Sequence, residues 1–149
     1  MNYQIAQINI ARMIGVNIDD PIMQEFVDNL DIVNELAESS PGFIWRLKDD
    51  SNNASSFNPY DDEQIIINIS VWKDIESLEQ FTYKTFHTDS LRRRREWFQR
   101  FGKASFAMWW IKEGHFPTVE EAVEKLAYFQ LYGPSVSVFD FKERFSAPG

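Results

Sequence analysis

Apolar and polar positions along this chain fall into segments of period two and segments of helical period, in alternation. In Gln64–Trp72 (QIIINISVW), Ile65, Ile67, Ile69 and Val71 form one face of a strand, and Ile66, Asn68, Ser70 and Trp72 form the other. Tyr3–Ile10 is a second strand, with Tyr3, Ile5, Gln7 and Asn9 facing one way and Gln4, Ala6, Ile8 and Ile10 the other. Phe43–Leu47 is a short strand carrying Phe43, Trp45 and Leu47 on one face. Ser105–Ile111 (SFAMWWI) is another, and Val136–Phe141 is a short edge strand.

Between the strands the spacing turns helical. Asp20-Pro21 starts a helix, because Asp caps well and Pro suits the first helical position; Ile22, Phe26, Leu30 and Val33 make its apolar stripe. Ser39-Ser40-Pro41-Gly42 ends it. Lys48–Glu63 is polar, acidic and turn-rich, the composition of a long loop. Asp74 caps a helix over Ile75–Phe86 whose inner side is Ile75, Leu78, Phe81, Thr82 and Thr85. A further helical run, Thr88–Phe101, carries four consecutive arginines, Arg92 to Arg95. Thr118 and Glu121 have capping-box spacing at the head of a last helix, with Val119, Val123 and Leu126 as its stripe and Gly133-Pro134 as its stop.

The order β-α-β-β-α-β-α predicts an α+β fold: a ferredoxin-like antiparallel sheet with helices on one face, in a single domain over 1–149. The other face would then carry Trp72, Trp45 or the Trp109/Trp110 pair, too much apolar surface for solvent. Two subunits that put those faces together would bury it, so the expected assembly is a homodimer closing a dimeric α/β barrel.

Composition narrows the function. A net charge of -8 disfavours nucleic acid and anionic membrane surfaces as partners. The absence of cysteine removes disulfides, thiolate nucleophiles and Cys-based metal sites, and suits a reducing cytoplasm. No apolar run reaches membrane-spanning length and no secretory signal is visible, so the expected location is cytoplasmic. Thirteen Phe and five Trp point to a large core, an aromatic-lined pocket or a buried interface.

The string AQINIAR, SVWKDIESLEQFTYKTFH, RRRREWF, MWWIKEGHFPTVEEA and YGPSVSVFDF resembles an uncharacterised family of the dimeric α/β-barrel superfamily, which includes antibiotic-biosynthesis monooxygenases. The resemblance implies that fold and a monooxygenase-like activity on a small apolar or aromatic molecule, without a dedicated cofactor. Haem-degrading members use an Asn on strand one, a Trp on the helix and a His near its end. Asn9 and His87 match the first and last of these roles, while Phe81 stands at the Trp position, a departure from the haem pattern.

Among candidate residues, His87 offers a ring nitrogen that titrates near neutrality, suited to a general base, or it caps a helix. At helical spacing Arg92 and Arg93 face outward, Arg95 lies near the edge, and Arg94 falls on the apolar face with Leu91, Trp97, Phe98 and Phe101. Arg94 therefore forms an internal ion pair or clamps a substrate carboxylate or enolate. Gln7, Asn9, Asn68, Ser70 and Trp72 share strand faces that could line one pocket, with Phe81 above them. His115 (EGHFPT) organises a loop, and no metal-ligand motif stands out. A non-catalytic ligand-binding or assembly module on the same scaffold, or a haem-binding protein, is the alternative.

Overall fold

In a computed structural model, the description covers residues 2–48, 57–86 and 94–148, with the side chains of 86, 94 and 95 outside it. The strands are β1 (Tyr3–Arg12), β2 (Phe43–Arg46), β3 (Ile65–Trp72) and β4 (Phe106–Lys112). The helices are α1 (Gln24–Glu38), α2 (Ile75–Phe86), the single turn α3 (Arg94–Trp97) and α4 (Val119–Tyr132). The sheet runs β2-β3-β1-β4 and every pairing is antiparallel. With the β-α-β-β-α-β connectivity this is the expected α+β arrangement.

The sheet is covered on both sides, which corrects the expectation of helices on one face. Ile5, Trp72 and Met108 pack with Ala37 of α1 and Ile75 and Leu78 of α2. Ala6, Ile8, Ile67, Ile69 and Trp109 point the opposite way and pack with Ala122, Leu126 and Phe129 of α4. Trp45, Leu47, Phe57 and Tyr60 complete this second layer. Ile69, Val71 and Trp109 are at most 1 % exposed within one chain. The face that the sequence assigned to a partner subunit is thus filled in cis. Each large side chain buried there contributes about 1.5–3 kcal/mol.

Local chemistry explains most element ends. Asp20 Oδ1 accepts from the Ile22 N–H and caps a 3-10 turn, Pro21–Met23, that leads into α1. Met23, Asn34 and Ala37 are buried along this turn and helix and Phe26 packs on Met23 and Trp97, whereas Ile22, the first expected stripe position, is exposed. The helix expected to reach Phe101 stops at Trp97, because the chain there joins the end of β1. Ile14 N–H donates to Trp97 O, Gln99 N–H to Arg12 O, and Phe98 bridges Met13. Instead of a full edge strand, Phe139 exchanges both backbone hydrogen bonds with Met108 and flanks β4. Gly42 sits at φ 85°, with Ser77 occupying the space a side chain would need.

A bulge in β2 has the largest consequence. Phe43 pairs with Trp72, but Trp45 pairs with Val71 and Arg46 with Ser70. The register shift between Phe43 and Trp45 sends them to opposite faces, so they do not share one as alternation predicted. Arg46 is turned inward on the face of α1 and α2. Among the described residues no helix is long and apolar enough to cross a membrane.

Candidate functional site

On the α1/α2 face, register builds a grid. Trp72, Ile5 and Trp110 stand side by side; Ser70, Gln7 and Met108 form the next row; Asn68, Asn9 and Phe106 form the third. Directly opposed side chains in an antiparallel pair lie about 5 Å apart, so polar ones can join. They do. Gln7 Nε2 donates to Asn68 Oδ1 and to Ser70 Oγ, both at 2.7 Å. Asn9 Nδ2 donates to Gln7 Oε1 at 3.0 Å and to Asn68 Oδ1 at 3.2 Å. Trp72 Nε1 closes the inner end on Ser70 Oγ at 2.9 Å.

This side-chain ladder runs from dry to wet. Trp72 is fully buried, Gln7 is 2 % and Ser70 5 % exposed, Asn68 is half-buried and Asn9 lies open. Phe81 of α2 stacks on Trp72 at 4.9 Å, and Phe43 meets the same indole edge-on at 5.4 Å. All six residues the sequence nominated for a ligand pocket, Asn9, Gln7, Asn68, Ser70, Trp72 and Phe81, are therefore contiguous. At the wet end the Asn68 amide nitrogen and the Asn9 carbonyl oxygen have no partner among the described residues, leaving one donor group and one acceptor side by side. Beyond them Phe106 stacks on Phe141 at 5.2 Å. The segment that follows is tied to Trp110 Nε1 through the Phe145 carbonyl and to Glu79 of α2 through Arg144.

Arg46 was missed in the sequence. It occupies the Ser70 row, is 5 % exposed, and its Nη2 lies 3.6 Å from Glu38 Oε1 at the end of α1. The signal was a lone charge inside FIWRL, but alternation alone could not give its face because of the bulge. His87 lies outside the described residues, as does the Arg94 side chain; of Arg94 only the helical backbone of α3 is described.

His115 is an organising residue. Its Nε2 lies 2.7 Å from Glu121 Oε1, and Glu121 Oε2 accepts from the buried Trp109 indole at 3.1 Å. Only half of the capping box forms: the Glu121 N–H donates to Thr118 Oγ1, while the Glu121 carboxylate is committed to the ring nitrogens. Among the described residues no three His, Cys, Asp or Glu side chains converge as metal ligands would. Two surface depressions, about 510 and 210 Å³, lie around the start of β3; no ladder residue lines either, but Ile66, which lines the smaller, is next to Asn68 on the same strand face. The larger is lined by Asp61, Asp62 and Glu63; Arg12 and the Gln64 N–H hold the Asp62 carboxyl below the usual carboxylate range.

Comparison with solved structures finds similarity to two crystal structures of SnoaB, a cofactor-independent oxygenase from Streptomyces nogalater. One, a mutant form, is 12% identical with a TM-score of 0.48, covering 76% of this chain and 95% of that one. The other is 13% identical with a TM-score of 0.44, covering 79% and 98%. No curated protein matches the chain. The chain belongs to the DUF3291 family, described as a domain of unknown function, whose model matches residues 4–149.

Proposed function

We propose that this DUF3291 domain binds a small, largely apolar or aromatic molecule against the α1/α2 face of its sheet and acts on it as a monooxygenase-like enzyme. The observation that carries the binding half is the ladder: a polar row hydrogen-bonded along its inner length, whose outer end keeps a donor group and an acceptor without partners among the described residues, beside aromatic rings. Apolar walls with a few fixed polar anchors are what a ligand pocket requires. Asn68 Nδ2 donates to a ligand oxygen and Asn9 Oδ1 accepts from a neighbouring hydroxyl, while Trp72 and Phe81 back the inner end. All the residues assigned to this site belong to one chain.

The catalytic half assigns His87 as the base and Arg94 as the group that stabilises the resulting anion. A methylene beside a carbonyl loses a proton to the base and is oxidised by dioxygen to a second carbonyl, with water as the other product. The protein's part is to deprotonate, hold and keep dry.

The test uses 2-tetralone, whose benzylic methylene lies beside a carbonyl. Calorimetry should show binding that Asn68→Ala weakens about tenfold, the scale of one hydrogen bond. Oxygen uptake in its presence should fall about 10²–10⁴-fold in His87→Ala. Binding that Asn68→Ala leaves unchanged would refute the site. Binding through the ladder with no oxygen uptake in the wild-type protein would refute the enzyme and leave the ligand-binding module.

A further inference from the structure

We infer that Phe106 selects planar aromatic ligands over saturated ones of the same size, and that Phe141 is the positioning residue that sets its ring. This rests on the ladder being a ligand site. Register puts Asn68, Asn9 and Phe106 side by side, so a ligand that meets the two amides also meets this ring. Phe139 exchanges both backbone hydrogen bonds with Met108 on the outer edge of β4. Two residues on from Phe139 stands Phe141, and two back from Met108 stands Phe106, so the two fall in the same row. Their rings are stacked, with centroids 5.2 Å apart and planes 17° from parallel. Phe141 thus covers one face of Phe106, and the other face is turned toward Asn9. Both rings are only half-buried, whereas Trp72 and Phe139 on the same layer are fully covered.

The segment that carries Phe141 is tethered on either side of it. Before it stands the Phe139 bridge, and Asp140 Oδ1 accepts from the Lys142 and Glu143 N–H groups at 3.0 and 3.1 Å. After it, the Phe145 carbonyl accepts from the Trp110 indole at 2.8 Å, and Arg144 pairs with Glu79 of α2. The Arg144 guanidinium also lies over the Phe141 ring, 5.3 Å from its centre. A ring held in this way holds the one stacked on it, so little ordering is left to do when a ligand arrives. A saturated bicycle offers at least as much apolar area as a flat one but no π face. Apolar burial alone therefore would not prefer the flat ligand, and stacking on Phe106 does.

The experiment compares 2-naphthoate with decahydro-2-naphthoate, carboxylates of the same carbon skeleton with and without aromatic rings, by calorimetry at fixed pH and ionic strength. The wild-type protein should favour naphthoate about threefold to tenfold, the scale of one aromatic stack. Phe106→Leu keeps an apolar side chain and should bring the ratio to about one, with decahydronaphthoate affinity within about threefold. Phe141→Leu should also lower the ratio, while Phe141→Tyr, which keeps the ring, should preserve it; this pair serves if Phe106→Leu does not fold. A purely structural loss would weaken both probes alike and leave the ratio where it was. Equal affinities in the wild-type protein, a ratio that Phe106→Leu leaves unmoved, or the same ratio in Phe141→Leu and Phe141→Tyr overturns the inference. Binding of neither probe, or naphthoate binding indifferent to Asn68→Ala, refutes the ladder as a ligand site and this inference with it.

Discussion

Gln7 and Asn9 are two residues apart on one strand face and belong to one hydrogen-bonded set, yet they have different consequences. Gln7 is buried and bonds to Asn68, Ser70 and Asn9. Gln7→Ala removes the hub and leaves buried polar atoms without partners, so unfolding in urea should show a loss of about 1–3 kcal/mol. Asn9 is at the open end, and Asn9→Ala should stay within about 0.5 kcal/mol in the same assay while weakening ligand binding. Equal stability losses would mean that the ladder is merely structural. This set was legible because strand alternation is strict in β1 and β3, and polar residues on an otherwise apolar face stand out. The inward-facing arginine was not. The four-arginine run drew attention to Arg94, while Arg46 took its orientation from a one-residue bulge with no signature in FIWRL.

Capping chemistry transferred well from sequence to element. Asp74 begins α2, with its Oδ1 accepting from the Ser77 N–H at 2.8 Å. The Ser77 hydroxyl, and less strongly the Ser77 N–H and Lys73, hold the Asp74 carboxyl below the usual carboxylate range. A carboxyl whose folded pKa is lowered stabilises above its unfolded pKa and loses that contribution as pH falls through the folded value. Asp74→Ala should therefore cost about 1 kcal/mol at pH 7, with the difference from wild type closing progressively below about pH 4. A difference that persisted unchanged at pH 2 would count against the cap. Gly42 was legible only as a helix stop. Its second role is to let α2 approach through Ser77, and Gly42→Ala should lower stability by about 1–3 kcal/mol. What differed at this scale was one end position and one length. Ile22 gave way to Met23 as the buried position, and the arginine-bearing helix ended at Trp97 once β1 supplied backbone partners.

Across the whole molecule, the aromatic surplus that suggested a dimer is housed inside one chain. Trp109 and its neighbours are buried beneath α4, and Trp45 stacks on Phe116 at 5.3 Å. Sequence could place α4 but not the side of the sheet it covers, because its apolar stripe fits either. Light scattering at micromolar concentration should accordingly return the mass of one chain, 17.5 kDa. Twice that mass would mean that another surface pairs copies, such as the exposed Tyr128, Leu131, Tyr132 and Val136. Either outcome leaves the ladder within a single chain, and the claim that a ligand sits on it has its own test. The most direct is a crystal soaked with 2-naphthoate. The account predicts the naphthalene against the aromatic side chains around the ladder and a carboxylate oxygen about 3 Å from Asn68 Nδ2. A ligand seated instead in the depression lined by Asp61, Asp62 and Glu63, or a ladder left bare while the protein binds the probe in solution, would contradict it.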